Sequence, residues 1–301
     1  MKPNRICSTV SALFLAVFMF FSGALPAKAA AALFDPANFV LVRGGEFTMG
    51  SPEPEFGRST DETQHQVKVS DFYMDKYAVT VAEFRRFVEA TGYRTDAEKN
   101  GCSVIIFRGK IIPGDGKKWR HGVSESRRPL SEQNHPVLHV SWNDAVAYCE
   151  WLSKQTGKKF RLPMEAEWEY ACRAGTTTPF NTGENLTTDQ ANYDGDNNNP
   201  KGAYRQNTLA VNRFEPNAWG LYNMHGNVWE WCSDWYSGTY YNDCKAKGVV
   251  ENPSGPVTGL SRVTRGGSWI DRAEDCRSAN RFDFPPVTRG FFMGFRLVFV
   301  P

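Results

Sequence analysis

The six residues Gly226-Asn227-Val228-Trp229-Glu230-Trp231 carry the densest set of groups able to hold an ion. Asn227 and Glu230 offer hard oxygens three residues apart, and Gly226 lets the backbone turn where a Cβ would clash. The two side chains and nearby main-chain carbonyls can thus reach one cation together, which is the chemistry of a calcium site. The same residues also read as a buried aromatic turn whose polar side chains satisfy only backbone groups. Both readings stand at this level. The surrounding stretch, Asn217 to Trp235, holds four of the chain's nine tryptophans and is too irregular for one helix or one strand.

The elements that must position this stretch follow from hydrophobic periodicity. Phe39 to Gly50 alternates as a strand, a glycine turn and a second strand, and the stretch from Gln66, ending at Tyr77, reads as one further strand after the polar loop Ser51 to Thr63. Thr80 and Glu83 form a capping box before a helix from Val81 to Thr91, with Phe84, Phe87 and Val88 on one face and Gly92 after it. Tyr93 to Gln133 is a long excursion with a short β-like run at Ser103 to Ile112. His135 to Val140 reads as a strand. Its two histidines share a face but have no third ligand nearby in sequence, so a metal site is not expected there. Ser141 caps a helix from Trp142 to Thr156 that Gly157 ends, and a shorter helix follows Pro163. Its glutamates Glu165, Glu167 and Glu169 suit the positive end of the helix dipole. Thr176 to Pro216 is a polar loop and Tyr240 to Pro256 another; Ser261 to Trp269 leads into the turn-rich segment Ile270 to Met293, and Gly294 to Phe299 is a last strand.

With 301 residues, 41% of them hydrophobic and 14% aromatic, the chain can bury a full core. Lys2 and Arg5 precede the apolar run Leu13 to Phe21, which is followed by Pro26 and Ala27-Lys28-Ala29. This predicts a signal peptide over 1–29 and a mature domain over 30–301, hence an exported, periplasmic or secreted protein. The run is short for a bilayer span, and no cysteine ends it, so no membrane anchor is expected. Losing Lys2, Arg5 and Lys28 shifts the formal charge from +2 to about −1, which leaves no basic face for nucleic acid. Cys102, Cys149, Cys172, Cys232, Cys244 and Cys276 remain, an even number in a disulfide-permitting compartment, and at least one bridge is expected.

Phe47-Thr-Met-Gly50, Phe72 to Tyr77, His135-Pro-Val, Val140-Ser-Trp142, Leu162 to Glu169, Gly220 to Trp231, Arg265-Gly-Gly-Ser-Trp269 and Gly294-Phe-Arg296, in this order, resemble the formylglycine-generating enzyme (sulfatase-modifying factor) family. The resemblance implies a single α+β domain related to C-type lectins, rich in irregular backbone held by calcium. It also implies calcium ligands at Asn227, Val228 and Glu230, with Gly226 beside them. A second calcium site, carried partly by Asn192 and Tyr193, lacks its acidic member around Lys201. The family's two disulfides would need partners for Cys149 and Cys172 near Leu297 and Ser278, neither of which is Cys. Cys276 offers Cys172 a shifted alternative.

Enzymes of this family that oxidise a sulfatase cysteine hold copper(I) between two cysteines, five apart, after the Gly-Gly-Ser-aromatic motif. Counting from Gly266 gives Asp271 and Cys276 here. A carboxylate replaces one soft ligand, so a dithiolate copper site is not expected. Ser268 and Trp231 match groove-lining positions of the enzyme, and Trp269 with the Ile270 to Met293 segment is read as lining the same groove. The primary expectation is therefore a monomeric, exported protein that binds a peptide, glycan or partner protein in a C-terminal groove. The alternative is a tailoring enzyme or oxidoreductase, as in siderophore maturation, using Asp271, Glu274 and Cys276. Strict conversion of sulfatase cysteine to formylglycine comes last.

Overall fold

The computed structural model describes residues 34–107, 109–124, 126–197 and 201–300. The expected signal peptide lies outside the described residues.

Four sheets and five helices share one body. Strands β1 (Phe39–Val42), β4 (Phe72–Ala78), β13 (Arg296–Phe299) and β7 (Phe160–Arg161) form an antiparallel sheet in the order β1-β4-β13-β7. A second sheet, β11-β10-β8-β12, joins Phe282–Phe284, Arg262–Arg265, Trp229–Trp235 and Met293–Gly294. A third joins β2 (Gly45–Met49), β3 (His65–Val69) and β9 (Val250–Glu251), and β5 (Cys102–Phe107) with β6 (Lys110–Asp115) makes a hairpin. β1 and β2 flank Gly44 as expected but do not pair with each other. Each joins a different sheet, because Gly44 lies so close to the Val69 carbonyl that a Cβ would stand 2.4 Å from it.

The helices form where their caps predict. α1 (Val81–Thr91) carries the full capping box, Glu83 N–H to Thr80 Oγ1 at 3.2 Å and Thr80 N–H to Glu83 Oε2 at 2.8 Å. α2 (Asp96–Asn100) starts the excursion, and α3 (Trp142–Thr156) is capped reciprocally by Ser141 and Asp144 before Gly157 turns left-handed. α4 (Glu165–Arg173) and α5 (Tyr240–Lys247) follow. α1 and α3 bury Phe84, Phe87, Tyr148 and Trp151 against Phe295 and Leu297, while α4 packs Trp168 and Ala171 against Val67, Met74, Val263 and Val298. Each such side chain contributes about 1.5–3 kcal/mol on leaving water.

Four expectations fail. The stretch from Gln66 to Tyr77 is two strands, β3 and β4, in different sheets, and the loop read over Tyr240 to Pro256 holds the helix Tyr240–Lys247. His135 to Val140 is not a strand. Only a Thr80–Pro136 bridge forms, and His139 adopts φ of 60° because its ring is held from both sides, by Ser103 Oγ at Nδ1 (2.9 Å) and by the Gly122 carbonyl at Nε2 (2.8 Å). The bridge expected from Cys172 is also not made, since all six cysteines among the described residues are free. Cys172 Sγ faces Ser278 Oγ at 3.6 Å and the His225 ring at 3.8 Å, whereas Cys276 Sγ occupies the space beside Gly267.

Candidate functional site

β8 delivers Trp229, Glu230 and Trp231 in alternation, so Trp229 and Trp231 share one face and Glu230 the other. β10, paired with β8, ends at Arg265 and enters Gly266-Gly267-Ser268-Trp269. Gly267 has φ of 70°, and a Cβ there would stand 2.6 Å from Cys276 Sγ, so this turn requires glycine. It brings Ser268 over Asp271.

Asp271 is the centre of what results. Its Oδ2 accepts hydrogen bonds from the Ser268 hydroxyl and from Trp229 Nε1, the latter at 2.8 Å. Its main-chain carbonyl accepts from Asp194 N–H at 2.8 Å, which anchors the residue from below. Burial raises the carboxyl to about 6, partly opposed by the Ser268 hydrogen bond. The Trp229 ring meets Phe282 at 5.6 Å, and Phe282 is 48% exposed, forming an apolar lip beside the carboxylate.

The other expected residues fall elsewhere. Cys276 is fully buried, its thiol pushed well up by desolvation, and its carbonyl accepts from His225 Nδ1 at 2.7 Å. A buried, protonated thiol is a poor copper ligand or nucleophile. Glu274 is partly exposed beside Arg272 at 3.6 Å. Trp231 and Trp269 are core residues and do not line an open groove. Their indole nitrogens donate to the carbonyls of Val140 (3.4 Å) and Phe291 (3.1 Å). Of the three residues expected to contact substrate, only Ser268 touches the Asp271 site. Trp229 is the member that sequence reasoning missed, whereas Phe282 lies in the Ile270 to Met293 segment read as part of the groove. Strand alternation places Trp229 with Trp231, but nothing in the spacing shows that the start of β8 meets Asp271.

The calcium set divides in two. Arg296 donates to both oxygens of Glu230, at 2.8 and 3.0 Å, and Trp168 Nε1 adds a third donor at 2.8 Å. A guanidinium stands where the cation would, so Glu230 does not fit as a calcium ligand. Asn227 behaves differently. Its Oδ1 accepts from Leu209 N–H (2.9 Å) and Asn192 Nδ2 (3.1 Å), while Asn192 Oδ1, fully buried, has no partner. A buried acceptor left unpaired costs about 1–3 kcal/mol. The two calcium positions implied by the sequence thus meet side by side, since Asn192 bridges Gly226 directly. Among the described residues no group of three His, Cys, Asp or Glu converges.

A family profile, the sulfatase-modifying factor enzyme 1-like domain (FGE-sulfatase), matches residues 25–300. The formylglycine-generating enzyme of Mus musculus is 38% identical over 289 residues, covering 86% of this chain and 74% of that protein. That of Streptomyces coelicolor is 38% identical over 319 residues, covering 91% and 95%. The solved structure of PvdO from Pseudomonas aeruginosa is similar at a TM-score of 0.70 and 30% identity, covering 87% of this chain and 94% of that one. The chain belongs to the formylglycine-generating enzyme (sulfatase-modifying factor) family.

Proposed function

We propose that this chain is a copper-independent member of its family that holds a peptide, glycan or partner protein at the surface where Phe282 and the partly exposed Asp271 stand above the buried Ser268 and Trp229. One observation carries the reading. At the position expected for the first copper cysteine stands a carboxylate engaged by a hydroxyl and an indole, and the only nearby thiol, Cys276, lies buried behind Gly267. Two soft ligands cannot converge on one copper(I) ion in this arrangement. A cysteine-containing sulfatase peptide incubated with the purified protein, copper and oxygen should remain unconverted. Mass spectrometry detecting the aldehyde product over multiple turnovers would overturn the proposal.

A second reading rests on the Asp271 carboxyl itself. A group titrating near 6 beside a half-exposed aromatic lip suits general acid–base work, and the likeness to PvdO agrees with tailoring chemistry. In that case Oδ1 takes a proton from the substrate and returns it to the product. Asp271→Asn then binds substrate and fails to turn it over, whereas in pure binding no turnover exists to lose.

Export, expected from Lys2 to Ala29, belongs to the same proposal, and protease protection of the native protein in spheroplasts tests it. Structural calcium enters only through the carboxamides of Asn192 and Asn227 and neighbouring main-chain oxygens. Chelation should lower the melting temperature by several degrees on the order of 1–3 kcal/mol of restored orphan cost. An unchanged melting temperature removes the ion.

A further inference from the structure

A second concavity lies on the far side of the 272–277 segment, walled by loops 52–56 and 177–189 and enclosing about 1260 Å³. Arg272, Glu274 and Arg277 line it, and Asp271 does not. At its mouth stands Phe56, 81% exposed. The exposure is not that of a loose loop. Glu55 accepts from Arg277 Nη1 at 2.5 Å, the Gly57 carbonyl accepts from Nη2 at 2.6 Å, and Glu62 anchors the same guanidinium with both oxygens at 2.8 Å. Gly57, with φ of 76°, rests so closely on Glu274 that a Cβ would stand 2.8 Å from the Glu274 Cβ. One buried arginine therefore fixes both neighbours of Phe56 and leaves the ring presented to water, an apolar surface with nothing yet to cover it.

The chemistry of the walls narrows what could cover it. Thr177, Glu184, Asn185 and Asp189 line the cleft, and their side chains have no hydrogen-bond or ionic partner among the described residues. Arg277 is consumed by Glu55 and Glu62 and Arg272 stands beside Glu274, which leaves Lys201 as the one unpaired lining cation among the described residues against the carboxylates of Glu184 and Asp189, so a phosphate or nucleotide would meet more negative than positive charge. The wall alternates apolar groups, among them Pro52, Pro54, Pro179 and Leu186, with these hydroxyl, amide and carboxylate groups, and a lipid tail would leave the polar ones without partners. The lining loops present no free strand edge for an extended peptide to pair with. What remains is a neutral molecule with many hydroxyl groups and a flat C–H face. We propose that this cleft is a saccharide-binding site, with Phe56 stacking against a sugar ring and Glu184, Asn185 and Asp189 accepting or donating to its hydroxyls. Because the loop is already fixed by Arg277, little ordering remains to oppose binding.

Calorimetric titration with maltotriose, cellotriose and chitotriose, with trigalacturonate and a phenylalanine-containing tripeptide as controls, tests the site. At least one neutral trisaccharide should bind, Phe56→Ala should weaken it by roughly tenfold or more while melting like the wild type, and Phe56→Trp should keep it. Absence of binding by all three neutral sugars at millimolar concentration overturns the proposal. So does binding indifferent to Phe56→Ala, or preference for the tripeptide or the acidic sugar.

Discussion

Asp271 shows how one replaced atom type redirects a site, since an oxygen now stands where a sulfur was expected and recruits an indole and a hydroxyl in place of a metal. Its carboxyl is raised to about 6 from an ordinary 3.8, so the group favours folding below pH 3.8 and gives up that advantage as pH rises through 6. The Trp229 indole proton resonance should titrate with a midpoint near 6, and Asp271→Asn should abolish the transition. A resonance that stays flat from about pH 4 to about pH 8, the window in which such a carboxyl ionises, would separate Trp229 from Asp271. At Glu230 the sequence named calcium, and the structure places a side-chain cation there instead. Its cation is Arg296, sixty-six residues on, and a spacing argument that looks only a few residues either way does not reach it. Arg296→Met leaves the Glu230 charge buried without its partner and should cost about 3–5 kcal/mol in urea unfolding. Loss of less than about 1 kcal/mol would place water at this pair. Asp271 was legible by counting from Gly266; the burial of Trp231, Trp269 and Cys276 was not, because motif matching carries position and says nothing of depth.

Among the elements, those with local signals were legible. Thr80 with Glu83, Ser141 with Asp144, and the glycines at 92 and 157 mark helix ends through contacts within four residues, and α1 and α3 stand where those signals put them. Strand pairing was less legible, because partners lie far apart in sequence. β1 pairs with β4 and β2 with β3, and the stretch from His135 to Val140 gives up its ladder to Ser103 and Gly122. Similarly, the glutamates of α4 looked like helix-dipole partners, yet Glu165 bonds Arg281 and Arg265, Glu167 bonds Arg161, and Glu169 bonds Arg173 and Arg265. The contact of α4 with the segment after β10 yields a direct test. Cys172 Sγ lies 3.6 Å from Ser278 Oγ, so Ser278→Cys should close a bridge between them under oxidising conditions. Thiol titration of the denatured, unreduced variant should then show one fewer free thiol than wild type, with about 2–4 kcal/mol of added stability. Retention of every thiol would mean that the two side chains do not approach as described.

At the scale of the whole molecule, the pH response is a contest between buried groups of opposite sense. Desolvation holds His139 at about 3 and His225 at about 4, so each lowers stability as pH falls below the unfolded value of 6.5. Burial raises Asp234 to about 7, with the Glu165 charge adding to it, so this group lowers stability as pH rises from 3.8 towards 7. Asp234→Asn does not titrate, and its stability relative to wild type should improve between pH 5 and pH 8, values chosen as roughly either side of that ionisation. Chemical denaturation at the two pH values checks this, and an equal difference at both would mean that Asp234 is not ionising in that window. One feature of the topology reaches beyond equilibrium. β13 lies between β4 and β7, its Val298 opposite both Met74 and Arg161, and its residues follow Gly294, which belongs to the other sheet. The central place in the first sheet is therefore taken by a strand translated after both of its neighbours. A ribosome that has synthesised the chain as far as Phe284 has made every other strand of that sheet and still has no means of joining its two halves. This sheet stays in two halves until Arg296 to Phe299 have been made, so its strands remain open during the synthesis of everything before them, and any cellular factor that engages unfolded chains has that interval in which to do so.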